Sequence, residues 1–167
     1  MKIAHKIIAV NLFVVTALCL FISCDDHGIS PKAGKELPGF GGTLLVTSEW
    51  SPADSLFDLR VVAFRNYPPG DLVQELLDGN AVFSDTLQFN VETQSYTIED
   101  AELAGTFEYV AVAQQYGSNL FTDWRAVGVF TESGDPAEPS PVSLGSGQYI
   151  QGVDITIDFY DLPPQPF

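Results

Sequence analysis

The sequence predicts an all-β fold, a β-sandwich of seven strands that follows an N-terminal segment of different character. Apolar and polar residues alternate with a period of two in most segments after Gly42, as in strands with one buried face. Gly, Pro, Asn and Asp separate these segments at the short spacing that β-sandwiches use. No segment with helical spacing is long enough to provide the crossover of a βαβ unit.

The predicted strands are short, and turn-forming residues separate them. In the second strand, Leu59, Val61 and Ala63 point to one face and the residues between them to the other. Pro68 and Pro69 end this strand, because proline cannot donate to a strand ladder. The seven predicted strands are 43–50, 56–67, 81–90, 94–100, 106–116, 120–130 and 148–160.

Residues 71–80 break the alternation and predict one or two helical turns. Leu72 and Leu76 recur at helical spacing, and Gly79 suits the position just after a helix. We expect this short helix to cross one end of the sheet.

The fifth and seventh predicted strands carry the strongest patterns. Segment 106–116 has apolar residues on both faces, which is typical of a central strand, and Phe107 and Tyr109 are predicted to share one of these faces. Segment 148–160 alternates with residues such as Val153 pointing inward and Asp154 outward. The Gly- and Pro-rich residues between these two regions, 132–147, predict a loop.

The N-terminus has the features of an export signal. Residues 1–6 carry two lysines and no acid, and residues 7–22 are uncharged. This apolar run is slightly short for a membrane-spanning helix, which needs about 20 residues. A simple secretory signal would end in small residues of the A-x-A type, but Phe-Ile-Ser-Cys stands at 21–24.

Residues 21–24 resemble the lipobox of bacterial lipoproteins, with Cys24 at the invariant position and Ser23 as the small residue before it. The resemblance implies that 1–23 is a signal peptide and that Cys24 carries a diacylglycerol. Cys19 fits less well, because Leu18 precedes it. The alternative is an uncleaved membrane anchor with two incidental cysteines.

The residues after Cys24 predict how the domain is held. Residues 24–41 are rich in Gly, Pro and Lys and predict a flexible tether. Asp25 and Asp26 resemble a sorting signal for display on the outer face of the outer membrane. We therefore expect a lipid anchor in the outer membrane. The domain is expected either on the periplasmic face of this membrane or on the cell surface. The sandwich is predicted over 42–160, and the Pro-rich tail 161–167 is expected to lie along a sheet edge.

Composition narrows the classes of partner. Removal of Lys2 and Lys6 with the signal leaves five basic residues against 22 acidic ones, a net charge of −17. Such a charge repels phosphates, so neither nucleic acid nor anionic head groups are expected partners. The hydrophobic content of 46% with 12 Phe favours a packed core over disorder.

The sequence offers little material for catalysis. After processing, Cys24 would be alkylated and His27 would be the one histidine left, so a Ser-His-Asp triad, a Cys-His pair or a multi-histidine zinc site cannot be assembled. We predict no enzyme, no cofactor and no metal site. Carboxylate oxygens suit Ca²⁺, but no D-x-D-x-D-G loop is present, and we interpret the clustered acidic residues as a solvated face; they are Glu99, Asp100, Glu102, Asp154 and Asp158.

Three segments are similar to the transthyretin-like, or carboxypeptidase regulatory-like, domains. They are the strand–turn–strand at 95–115 with Gly105, the opening GGTLLV at 41–46 and the closing GVDITIDF at 152–159. The resemblance implies a seven-stranded Greek-key sandwich of prealbumin type, in an accessory domain without catalytic residues. An immunoglobulin-like sandwich is the alternative fold.

Several aromatic residues fall at or near predicted strand ends and form a candidate glycan platform. Sugar C–H groups stack on aromatic faces, while Asp123 and Arg125 would bind hydroxyls. The alternative is that the two tryptophans pack against the ends of the hydrophobic core. For Arg125 we expect pairing with an acid across the sheet, or else an anionic ligand. The aromatic candidates are Trp50, Tyr67, Tyr116 and Trp124.

These observations predict a cell-envelope lipoprotein that displays a non-catalytic β-sandwich for binding or assembly. Its expected partners are the membrane, through Cys24, and an envelope protein or a glycan. A glycan-binding module of a surface uptake system is the alternative. A carboxylate-based hydrolase is the weakest candidate, because abundant Asp and Glu alone support it.

Overall fold

The structure is a computed structural model and describes residues 37–166. The predicted all-β class is confirmed: within these residues there are ten strands and one short helix, with a 3₁₀ turn at Ala53–Ser55. The predicted signal peptide, the predicted lipidation site Cys24 and the predicted sorting residues Asp25 and Asp26 lie outside the described residues. The strands are β1 (Gly39–Val46), β2 (Asp58–Phe64), β3 (Ala81–Phe83), β4 (Thr93–Glu99), β5 (Gly105–Phe107), β6 (Tyr109–Gln115), β7 (Trp124–Val129), β8 (Val142–Leu144), β9 (Tyr149–Ile150) and β10 (Ile155–Ile157), and the helix is α1 (Leu72–Leu77).

Most of the strands form two four-stranded sheets. In the β6 sheet the order is β3-β2-β6-β7, and all seven residues of the central strand β6 are buried, as its apolar faces predicted. In the β1 sheet, β1 lies between β4 on one side and both β9 and β10 on the other. Strands β5 and β8 form a separate pair.

The main core lies between the inner faces of these sheets. The predicted shared face of Leu59 and Val61 on β2 and the predicted inward direction of Ile155 on β10 are confirmed, since all three residues belong to this core. The residue that follows β10 contacts the other sheet, where the Asp158 N–H donates to the Val127 carbonyl of β7 at 3.1 Å. A side chain on Gly128 would put its Cβ 2.5 Å from the Thr156 oxygen, so this close approach requires glycine.

Segment 106–116 is not one strand, and the prediction that Phe107 and Tyr109 share a face is wrong. Phe107 lies in the main core, whereas Tyr109 belongs to a second cluster on the outer face of the β6 sheet. The chain leaves its β8 partner after Phe107 and enters the β6 sheet at Tyr109, so the alternation restarts at Glu108.

Segment 148–160 is likewise divided, here by a bulge. The register of β1 with β9 pairs Gly39 with Tyr149, but its register with β10 pairs Leu44 with Ile155, one residue further on. Gly152 lies between the two strands with φ +85°, a conformation that favours glycine. One extra residue is therefore accommodated without moving the buried residues of β10 to the solvent face.

The predicted loop 132–147 contains a strand that the sequence analysis missed. Strand β8 is three residues long, with Val142 and Leu144 buried, and is too short to show a period. At the other end of the domain, β1 begins at Gly39, within the predicted tether, because Phe40 is fully buried in the core.

The predicted helix and edge-lying tail are both present. Asp71 caps α1 by accepting from the Gln74 N–H, and Gly79 follows with φ +72°. In the tail, the Gln165 side-chain amide accepts from the Ala126 N–H and donates to its carbonyl at 2.8 and 3.0 Å. The Gln165 side chain therefore bonds the backbone of β7 at the edge of the sheet, in the way that the backbone of a neighbouring strand would.

Candidate functional site

The outer face of the β6 sheet is apolar, although the solvent face of an antiparallel sheet is normally polar. Alanines at 111, 113 and 126 are small enough for Leu76 of α1 and Trp124 of β7 to pack on this face. Phe83 lies on the opposite edge strand, paired with Val62. Between them is a cavity of about 230 Å³, here named the Trp124 groove, which is lined by Asp58, Arg60, Val62, Leu76, Phe83 and Trp124.

The polar atoms beside the Trp124 groove are occupied by the protein itself. The Arg60 Nε donates to Asp58 at 2.7 Å, its two terminal nitrogens donate to the Ser84 carbonyl and the Thr86 hydroxyl, and its guanidinium lies 5.3 Å from the Phe83 ring centroid. The Trp124 Nε1 donates to the Leu120 carbonyl at 2.9 Å. A ligand in the groove would therefore meet mainly ring faces and aliphatic groups.

Four of the predicted glycan contacts lie together at the end of β6 and the start of β7, but with different roles. The Asp123 carboxylate accepts from the Asn119 N–H and the Thr122 hydroxyl, both at 2.9 Å, and so holds the connecting loop. The guanidinium of Arg125 lies 5.7 Å from the centroid of the Tyr116 ring.

The expectation that Arg125 pairs with an acid is wrong. Its Nε donates to the Gln114 side-chain oxygen at 3.0 Å, and Gln114 is the residue opposite it on β6. Because successive side chains of a strand point to opposite faces, Arg125 and Trp124 cannot belong to one binding face. The Trp124 groove therefore does not include Arg125.

Trp50 and Tyr67 lie away from the Trp124 groove. The Trp50 ring packs 5.1 Å from Phe159 against the main core, in agreement with the alternative that this tryptophan closes the core. Tyr67 stacks on Tyr109, at the opposite end of β6 from Gln115 and Trp124. Tyr109 and Gln115 are six positions apart along β6, a distance of about 20 Å. The six candidates thus do not form one platform.

Sequence reasoning missed Val62, Leu76 and Phe83 as parts of a site. Val62 and Phe83 do lie in predicted strands, and Leu76 in the predicted helix, so their outward positions were available signals. What brings them beside Trp124 is the strand order β3-β2-β6-β7, which no local pattern indicates.

The β1 sheet carries a second, polar cavity of about 530 Å³ on its outer side. The Tyr96 hydroxyl donates to the Val153 carbonyl and Asp154 accepts from the Thr43 N–H, both at 2.7 Å. Burial raises the pKa of Tyr96 far above its ordinary value, and Asp154 and Tyr149 add to the shift, so this hydroxyl stays a donor. The residues that line this polar cavity include Thr43, Ser95, Thr97, Tyr149, Gln151 and Asp154.

Two buried tyrosines allow a matched test of a buried hydroxyl's contribution to stability. We expect Tyr96→Phe to lower the free energy of unfolding by about 1–3 kcal/mol, because the Val153 carbonyl loses this donor. Tyr109→Phe should leave it unchanged or raise it, because the buried Tyr109 hydroxyl has no hydrogen-bond partner among residues 37–166. Urea unfolding followed by Trp fluorescence measures both variants, and equal losses would contradict this assignment.

The acidic residues considered for Ca²⁺ bind backbone N–H groups or are exposed. Asp158 accepts from the N–H groups of Tyr160 and Asp161, and these bonds lower the pKa of its carboxyl group. Asp100 accepts from the Glu102 N–H. Across the described part of the chain, no group of three or more His, Cys, Asp or Glu residues is arranged to hold a metal ion.

Comparisons with family models, curated proteins and solved structures found no match for this chain. Between residues 37 and 166, no helix has the length and apolar character needed to cross a bilayer.

Proposed function

We propose that this protein is a cell-envelope lipoprotein, anchored in the outer membrane through Cys24, whose β-sandwich is a non-catalytic binding module. The lipobox resemblance at 21–24 supports the anchor. The finer architecture, a Greek-key sandwich of prealbumin type with an immunoglobulin-like arrangement as its alternative, is part of the proposal; two four-stranded sheets around one core support it.

The Trp124 groove is the observation that carries the binding role. Phe83 is 51% exposed in it, although a ring of this size gains free energy by burial. The apolar cavity of about 230 Å³ lies outside the main core. A cavity of about 150 Å³ is enough to hold benzene, so the groove has room for one ring-sized group.

A glycan is the more specific candidate for this group. Trp124 and Phe83 lie on the two edge strands of the β6 sheet and both line the groove. In this proposal, sugar C–H groups stack on their rings. Asp58 lines the same groove and is paired with Arg60. In this version of the proposal, the module presents or captures oligosaccharides for uptake at the cell surface.

Fluorescence of Trp124 tests the binding role. In a Trp50→Phe variant of the full-length protein, Trp124 is the one remaining tryptophan, and its emission reports on the groove. The probes are soluble oligosaccharides of glucose and of mannose, and benzyl alcohol as a neutral single-ring compound. We expect at least one probe to shift the emission saturably.

A second substitution separates the groove from general surface effects. Phe83→Ala removes one wall and should weaken the binding about tenfold, which corresponds to roughly 1.4 kcal/mol. Phe57→Ala is the matched control, because Phe57 is 52% exposed and lies outside the groove. No saturable shift with any probe, or equal weakening by both substitutions, would contradict the proposed function.

A further inference from the structure

Strand β4 forms an edge of the β1 sheet. It pairs with β1 over all seven of its residues, and among residues 37–166 no strand pairs with its other side. The Val46 N–H donates to the Glu92 carbonyl and the Asp100 N–H donates to the Pro38 carbonyl, which sets the even-numbered residues toward β1. In an antiparallel pair this direction alternates, so Thr93, Ser95, Thr97 and Glu99 direct their N–H and C=O groups to the free side.

A cavity lies beside this edge. Residues 84–88 run along its far side, where Ser84 and Leu87 donate to the carbonyls of Val61 and Leu59 on β2. A side-chain amide spans the gap: Gln94 bonds both the N–H and the C=O of Gln88, each at 2.8 Å. We name this gap the edge slot.

The edge slot contains a cavity of about 220 Å³ between residues 84–88 and residues 94–97. Directly paired strands lie about 4.8 Å apart and bond through their backbones. Among the described residues no backbone–backbone hydrogen bond crosses the slot, and a glutamine side chain is needed to bridge it. The two walls are therefore further apart than paired strands.

Charge around the slot indicates which strand fits. Glu92, Glu99 and Asp100 lie at the two ends of β4, and Asp85 lines the slot; all four are exposed. If a second copy paired antiparallel over the whole of β4, Glu92 would oppose Asp100 at both ends. Like charges directly opposite each other are destabilising, and acidic ends of this kind prevent edge-to-edge self-pairing.

We propose that β4 is a strand-addition site for an extended segment of a partner protein, with basic residues at both of its ends. The added strand exchanges backbone hydrogen bonds with Ser95 and Thr97, as in β-augmentation. Its basic ends lie against Glu92 at one end and against Glu99 and Asp100 at the other. This site is separate from the Trp124 groove and does not depend on the proposed function.

Amide hydrogen exchange, measured by NMR on the full-length protein in detergent, tests the site. The probe is a synthetic peptide of alternating Thr and Val, as long as the span from Glu92 to Asp100, with Lys at both ends. We expect it to slow the exchange of the Ser95 and Thr97 amides about tenfold or more at saturation, because these amides become hydrogen-bonded. The Tyr96 and Ile98 amides, already bonded to β1, are internal controls.

A matched peptide and a charge reversal test the selection. The same peptide with Glu at both ends should give no protection. In the double variant Glu92→Lys with Asp100→Lys, at exposed positions that do not pack in the core, this preference should reverse. Three results would overturn the proposal: no protection by the Lys-ended peptide, equal protection by both peptides, or protection that rises with protein concentration alone and so identifies a second copy as the occupant.

Discussion

Replacement of Cys24 with alanine is expected to abolish incorporation of labelled palmitate and to leave residues 1–23 attached to the chain. If residues 21–24 are a lipobox, the diacylglycerol is carried by the Cys24 sulfur, and cleavage before residue 24 requires it. A diacylglycerol and an N-linked acyl chain place three chains in the bilayer. At about 0.8 kcal/mol per buried CH₂, such an anchor is effectively permanent.

The test combines labelling in a Gram-negative host with the intact mass of the purified product. Cys19→Ala is the matched control, since it removes the other cysteine of the apolar segment and should keep both the label and the cleavage. Equal labelling of the wild type and Cys24→Ala would contradict the lipid anchor. So would an unmodified Cys24 still joined to residue 23 in the wild-type product, which is the outcome for an uncleaved membrane segment.

Phe107→Ala is expected to lower the free energy of unfolding by about 3–5 kcal/mol, the usual cost of removing a fully buried ring. Phe107 is 0% exposed, and its ring centroid lies 5.7 Å from that of Phe40 on β1. The Arg65 guanidinium lies 4.7 Å from the centroid of the Phe107 ring. Because these contacts surround the side chain, little collapse into the vacated volume is possible.

Urea unfolding of the full-length protein measures the loss, with the slope of the transition checked for a two-state change. Phe57→Ala removes the same ring from a position that is 52% exposed, and its effect should stay within about 0.5 kcal/mol. A loss in Phe107→Ala no larger than in Phe57→Ala would contradict the position of Phe107 at the centre of the core.

Local patterns were sufficient to identify most of the secondary structure. Every one of the seven predicted segments overlaps a strand, because a half-buried strand requires the period of two that the sequence displays. The helix was also predicted from a local pattern, since Leu72 and Leu76 recur at helical spacing and Gly79 can adopt a positive φ. These features depend on residues that are close together in the chain.

The errors fall where a distant contact decides the local structure. Phe107 and Tyr109 have the spacing of one strand, but the β8 partner of the first and the β2 partner of the second lie in different sheets. Strand β8 is defined by its pairing with β5 rather than by its own three residues. Arg125 bonds Gln114 because the register of β6 and β7 sets them opposite each other.

By itself, the sequence determined the all-β class, the alternation of buried and exposed residues and the short helix, because each depends on residues that are close together in the chain. The tertiary structure alone decided that Phe83, Leu76 and Trp124 border one groove and that the odd-numbered residues of β4 face an open slot. Both depend on which strands become neighbours, and that choice is made by burial of the whole core rather than by any one segment.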